Sequence, residues 1–237
     1  MRMGRRVCVL GAASILVAAV ACGQYEAPQE YSPEEARYFS AGAMVRDFAP
    51  RAGYSGGDSL AINFNAWMPV LGYHQGSVDV LFGYTRYTLK GATRAALFFS
   101  TTLTNDMPLL RGRPASLSLP ILLAVDYTKA ESAGADRDQF NIASLGLGLG
   151  LKFRSFTPGT EISASMAGIY HYSFESFSTG NGSSAAIVGD ASILLRTIHI
   201  GDGIVFGYRF RYQNWSLGDG RWNYRVTTHG PYFGVML

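Results

Sequence analysis

The sequence predicts an all-β chain: a closed, antiparallel up-and-down barrel of about ten strands that crosses a membrane, with eight to twelve strands as the range the pattern allows. Three observations predict it. From Tyr38 to the end, apolar and polar residues alternate with period two in segment after segment, with turn residues between them. Most segments reach the roughly 9 to 11 residues that a tilted strand needs to cross a bilayer, against about five or six for a strand in a soluble sheet. The composition is 48% hydrophobic and 13% aromatic but only 16% charged, where an ordinary soluble domain has roughly 25% charged residues. That shortfall excludes a disordered or coiled-coil chain and leaves too few charges to clothe a water-facing exterior.

Residues 1–21 have the three parts of a secretory signal: the basic MRMGRR, an apolar run from Val7 to Val20, and small residues at Ala19 and Ala21. The formal charge is +3, but with Arg2, Arg5 and Arg6 of this leader set aside, 17 basic residues face 17 acidic ones. No basic field for nucleic acid remains. Cys8 falls inside the leader and Cys22 directly after it, so the mature chain has at most one thiol and no internal disulfide. Two readings of Cys22 stay open. Either it is the lipidated first residue of a lipoprotein, or Ala19-x-Ala21 is an ordinary cleavage site and Cys22 lies at or near an unmodified N-terminus. Residues 22–37 form the next unit. Its stretch GQYEAPQEYSPEEA carries four Glu, two Pro and no aliphatic residue larger than Ala, which predicts a flexible acidic tether unable to bury a core.

The barrel occupies 38–237, with strands expected at 38–48, 59–71, 77–88, 93–103, 115–128, 140–154, 160–177, 185–199, 203–215 and 223–237. The clearest alternations place Leu145, Leu147, Leu149, Leu151 and Phe153 against Gly146, Gly148, Gly150, Lys152 and Arg154. In the same way Ile204, Phe206, Tyr208, Phe210 and Tyr212 stand against Val205, Gly207, Arg209, Arg211 and Gln213. The polar faces are built mainly from Gly, Ser, Thr and Asn, and the chain holds three Lys in all. Such a face suits a narrow polar interior, so the apolar face is expected to meet lipid, and closure follows because hydrocarbon tolerates no open strand edge. Connections expected on one side are 49–58, 89–92, 129–139, 178–184 and 216–222. Those on the other are 72–76, 155–159 and 200–202, shorter except for 104–114. Tyr84, Tyr127, Tyr170, Tyr172, Phe174, Tyr208, Phe210 and Tyr212 fall toward one end of the apolar faces, as an aromatic girdle would.

Here the chain resembles the Gram-negative outer-membrane β-barrel proteins. The resemblance covers 38–237 and rests on the leader, the strand pattern and the final segment Gly230-Pro231-Tyr232-Phe233-Gly234-Val235-Met236-Leu237. Phe233, Val235 and Leu237 alternate as in the terminal strands of that class, with Leu237 where an aromatic residue is usual. The resemblance is to the class and implies an outer-membrane location, contact with outer-membrane lipids and the outer-membrane assembly machinery, and a monomer. Ala19-Val20-Ala21-Cys22 similarly resembles a bacterial lipobox, with Ala19 where such boxes carry a bulky aliphatic residue.

Charged residues on inferred inward positions are Arg46, Asp79, Arg94, Asp126, Lys152, Arg154, Glu161, Asp190, Arg196, Arg209 and Arg211, joined by Asn63, Asn65, His171 and Glu175. Both signs are present, which predicts a cross-strand network that offsets the confinement of charge. A permeation role is the alternative for Arg196, Arg209 and Arg211 on neighbouring strands, where a water path would select anions. His171, Ser173 and Glu175 share one polar face and supply the residue types of a hydrolase: base, nucleophile and orienting carboxylate. The His-Tyr-Ser triplet looks like the His-x-Ser of outer-membrane lipid A deacylases, except that Phe174 follows where that motif has Asn. Successive residues on one face lie about 7 Å apart, so adjacency alone does not bring the three together. His74, His199 and His229 lack a second ligand-type residue at metal spacing, so neither metal nor cofactor is expected. Gly146, Gly148 and Gly150 precede no helix and are expected to supply space for side chains filling the interior. The expected role is therefore structural, binding or accessory for a barrel with a largely filled polar interior. A narrow channel for small anionic or polar solutes and a hydrolase using Ser173 and His171 are the alternatives.

Overall fold

The computed structural model describes residues 36–55, 61–112, 114–132, 139–174, 181–198, 200–220 and 222–237. The leader, Cys8, Cys22, the tether up to residue 35, Glu175 and His199 lie outside these. The described residues form ten strands: β1 (Arg37–Pro50), β2 (Phe64–Gln75), β3 (Val78–Leu89), β4 (Ala92–Arg111), β5 (Ala115–Ala130), β6 (Phe140–Thr157), β7 (Thr160–Phe174), β8 (Gly182–Leu195), β9 (Ile204–Leu217) and β10 (Tyr224–Met236). Each strand pairs antiparallel with its chain neighbours, and β1 pairs with β10, from Tyr38 opposite Met236 to Pro50 opposite Tyr224. The sheet closes into the expected up-and-down barrel.

Local chemistry sets the tight turns. Lys90 and Gly91 form a two-residue hairpin loop with φ of 51° and 79°, the mirror-image turn whose twist matches the flanking strands. Pro158 and Gly159 join β6 to β7, with Pro supplying a fixed negative φ and Gly159 the positive φ of 74°. Between strands the period-two pattern decides the faces: Leu145, Leu147, Leu149 and Leu151 project outward and are exposed, as are Tyr170, Tyr172, Phe174, Tyr208 and Phe210 of the expected girdle.

Three expectations are corrected. The segment 104–114, expected to be a long connection, is mostly strand. β4 continues to Arg111 on the register of β5, although Pro108 and the shift between Pro108 and Leu110 break its alternation. A strand needs only one good partner, and Ala115–Pro120 provides it. The expected connection 72–76 likewise shrinks to two residues, because Tyr73, His74 and Gln75 pair with Val80, Asp79 and Val78. Finally, Asn63 and Asn65 face outward, while Phe64, Met68 and Val70 face the lumen. Both faces of β2 carry large apolar groups, so its alternation does not choose a side. The register opposite β1, with Met44 beside Met68, does.

The lumen is divided along its length. At the end away from the chain termini, Phe48, Phe140, Trp215, Trp222 and Tyr224 are fully buried and pack with Phe64 and Tyr87. Phe64 stacks on Tyr87 at 3.9 Å, and Phe140 meets Trp215 and Tyr224 edge-on at 5.6 and 5.4 Å. Offset and edge-to-face contacts of this kind are the favoured arrangements of ring quadrupoles. Toward the termini the lumen opens into a cavity of about 540 Å³.

Candidate functional site

Directly beneath the aromatic cluster lies a buried polar layer centred on Asp126, which β5 points inward between Ala124 and Thr128. Ser100 Oγ donates to Asp126 Oδ1 at 2.6 Å, His171 Nε2 stands 2.8 Å from Oδ2, and the Arg211 guanidinium closes a short ion pair on the same oxygen. A carboxylate out of water needs partners on both oxygens, and these three elements, β4, β7 and β9, supply them. Arg211 Nε also donates to Gln213 Oε1 at 3.1 Å, and Gln213 Nε2 to Ser184 Oγ at 2.9 Å. Arg46 and Arg211 both lie over the Phe98 ring, at 5.1 and 5.5 Å, and Arg46 Nη1 reaches Thr228 Oγ1 at 3.5 Å.

The imidazole of His171 has room because Gly146 stands opposite it on β6; a Cβ at Gly146 would collide with the ring. The same device places Tyr232 over Gly207 and Ile169 over Gly148. The glycines supply space as expected, though to side chains of the adjoining strand and not to ones from across the barrel.

A second layer lies nearer the termini. Arg209 Nη2 donates to Asp79 Oδ1 and Nε to Asp190 Oδ2, both at 2.9 Å, with its guanidinium 4.7 Å from the centre of the Tyr232 ring. Tyr232 Oη donates to Asp190 Oδ1 at 3.1 Å, and His74 Nδ1 lies 3.6 Å from Asp79. Two further pairs stand at the rim: Lys152 with Asp106 and Arg154 with Glu161, each at 2.6 Å.

The structure thus brings most of the expected inward residues into pairs. Arg94 faces inward higher up, opposite Tyr87. Arg196 lies past the end of β8, its backbone N–H bonded to Gly159 O at 2.8 Å, and does not stand beside Arg209 and Arg211 in the lumen. Arg209 and Arg211 are engaged by Asp79, Asp190 and Asp126, while Arg46 lies over Phe98 with no carboxylate paired to it among the described residues. Of the hydrolase candidates, His171 and Ser173 are both fully buried on β7, and the carboxylate beside His171 is Asp126 of β5. Ser144 and Ser173, opposite each other across β6 and β7, leave their hydroxyls without a protein hydrogen bond, as do both ring nitrogens of His171, Nε2 lying close to Asp126 but outside hydrogen-bond geometry. The arrangement holds a buried charge cluster in place; among the described residues no base is hydrogen-bonded to Ser173 Oγ.

Sequence reading missed Asp106, because 104–114 was expected to be a loop, and it missed the aromatic cluster. For Asp106 a signal existed in Thr104 and Asp106, which continue the even-numbered inward face of Phe98, Ser100 and Thr102. For the cluster it lay in Trp215, an aromatic residue that continues the inward face of Arg209, Arg211 and Gln213.

No family model matches the chain, and no curated protein matches it in sequence. Among solved structures it is similar to the outer membrane protease OmpT from Escherichia coli, at 7% identity and a TM-score of 0.37, covering 89% of this chain and 99% of that one. It is also similar to Neisserial surface protein A, at 16% identity and a TM-score of 0.31, covering 85% and 97%. A third is OprG, an outer membrane protein from Pseudomonas aeruginosa, at 10% identity and 0.31, covering 86% and 94%. This likeness carries nothing about activity, and the fold rests on the closed strand order itself.

Proposed function

We propose that this chain is an integral protein of the Gram-negative outer membrane whose barrel is closed to ions and whose lumen serves as a binding vestibule opening toward the periplasm. The observation that carries this reading is the one-ended lumen, filled by aromatic rings away from the termini and hollow beside them. The outward belt supports the membrane seating. Leu147, Tyr170, Met166 and Trp67 are exposed by 63 to 67%, and apolar surface left in water costs about 25 cal/mol per Å². In a bilayer that penalty vanishes, and the girdle of Tyr and Phe takes the interface. The leader expected at residues 1–21 supports export, and in this reading the termini and the cavity mouth face the periplasm.

Outer-membrane lipid and the assembly machinery are the partners this reading requires, and a monomer suffices because the closed barrel buries its own seam. The test is a pair of measurements on purified protein. Heat-modifiable gel migration with β-rich circular dichroism in detergent is expected, together with planar-bilayer recordings that stay flat. Solubility without detergent would overturn the membrane seating. Stepwise conductance would replace the closed vestibule with a narrow channel.

A further inference from the structure

The ladder between β2 and β3 is cut short. It runs from Gln75 opposite Val78 to Val70 opposite Gly83 and stops, although β2 goes on beside β1 to Phe64 and β3 goes on beside β4 to Leu89. Pro69 is the cause. Trp67 O faces β3, since Thr85 Oγ1 donates to it at 2.6 Å, and alternate residues of a strand turn their backbone groups to the same side. Position 69 therefore faces β3 as well, and proline has no N–H to give there. Beyond it, toward the end away from the chain termini, no register pair joins the two strands among the described residues.

Side chains close the gap instead. Thr85 supplies its hydroxyl, and Met68 lies over Gly83, where a Cβ would stand 2.8 Å from its sulfur. Phe64 of β2 stacks on Tyr87 of β3 across the gap. Both rings belong to the aromatic cluster, and Phe64 is also stacked on Phe48 at 5.5 Å. On the outer side Trp67 and Tyr84 flank the gap, 67% and 39% exposed, together with exposed Asn65 and Arg86, the mixture of aromatic and polar groups that suits a membrane interface. A backbone ladder has to give up directional bonds to part; a ring stack and a thioether contact are held by short-range dispersion and re-form after sliding.

We infer that this half of the β2–β3 seam is a lateral gate, which opens between Phe64 and Tyr87 and admits a small, flat, apolar molecule from the surrounding membrane to the aromatic cluster. A flat ring suits the opening because it replaces one partner of a stack. An ion does not, because the passage offers it only rings and a thioether, and the buried layer of Asp126 and Arg211 lies between the cluster and the cavity. The inference rests on the proposed seating for what lies outside the gate; the short ladder does not depend on it.

The test locks the seam. Trp67→Cys with Arg86→Cys puts thiols where a continued register would oppose them; opposed strand residues stand about 5.5 Å apart, and a disulfide spans about 4.4 to 6.8 Å. The tryptophans left are Trp215 and Trp222, both buried in the cluster. Nitrobenzene, a flat apolar contact quencher, is added to this variant in phospholipid nanodiscs, and tryptophan lifetimes are read in the reduced and the disulfide-locked state. Quenching is expected in the reduced state and at least fivefold less in the locked one, with recovery on reduction. Pro69→Ala, which restores the missing donor, should likewise lower quenching in a Trp67→Phe background, with heat-modifiable migration unchanged. Equal quenching in the reduced and locked states, or none in the reduced state, overturns the inference. If the disulfide does not form, Pro69→Ala decides, and unchanged quenching overturns the inference there. A barrel that does not enter nanodiscs at all counts against the membrane seating instead.

Discussion

Arg209 and Asp79 stand four strands apart around the ring, on β9 and β3, and their 2.9 Å contact spans the lumen. Arg211, two residues further along β9, reaches the other way to Asp126 on β5, again four strands off. One strand thus sends two guanidiniums across the lumen to the facing wall, one to each side of β4, at successive levels. The planar, multidonor head of Arg makes this possible, because Arg209 keeps Asp190 on its own side while bridging to Asp79.

Replacing Arg209 by Met leaves two carboxylates without their cation and should lower unfolding stability by about 3 kcal/mol, the scale for breaking a confined pair. Asp79→Asn should cost less, since Arg209 retains Asp190. Urea midpoints of the lipid-reconstituted barrel check the order; a larger loss in Asp79→Asn would contradict the bridging role.

Asp126 is fully buried with Ser100 and Arg211 donating to it and His171 alongside, whereas Lys152 and Asp106 sit at a wet rim with side chains 23% and 30% exposed. Asp126→Asn is therefore expected to destabilise by about 3 to 5 kcal/mol, and Lys152→Met by no more than about 1 kcal/mol. The same denaturation series measures both.

Gly146→Ala should push the His171 ring away from Asp126 and cost about 1 to 3 kcal/mol. Gly168 has open space where its Cβ would stand, so Gly168→Ala serves as the control and should be neutral or slightly stabilising. Equal effects at the two positions would show that the close approach to His171 is immaterial.

Trp215→Ala combined with Phe140→Ala removes the centre of the aromatic cluster. Conductance steps absent from the parent protein should then appear in planar bilayers, while each single variant loses about 3 to 5 kcal/mol of stability. Trp67→Ala, on the outer face, should leave recordings flat.

The strand count, the outward leucines and the girdle were legible because each depends only on period two along one segment. The interior was legible in content but less so in arrangement. Asp79, Asp190 and Arg209 could be assigned inward from parity, yet which acid meets which base depends on the stagger of strands around the ring. Parity failed at β2, where Trp67 and Leu71 on one face compete with Phe64 and Met68 on the other. It was also set aside too early at Thr104 and Asp106, where proline and polar residues looked like a loop. The aromatic cluster was hidden because its rings come from separate strands whose approach parity does not give, and because Trp215 ends a face that is otherwise Arg209, Arg211 and Gln213.

The seam between β1 and β10 joins Tyr38 to Met236 and Arg46 to Thr228, bringing together the first and last strands of the described residues. Neither edge has a partner until nearly the whole polypeptide has been made and delivered, and loop closure over such a separation is entropically unfavourable. The hairpins form from local contacts; the ring forms last. For the interval between, the open curved sheet has two unpaired margins and a half-lined interior, and both margins stay open to pairing with other strands until they meet.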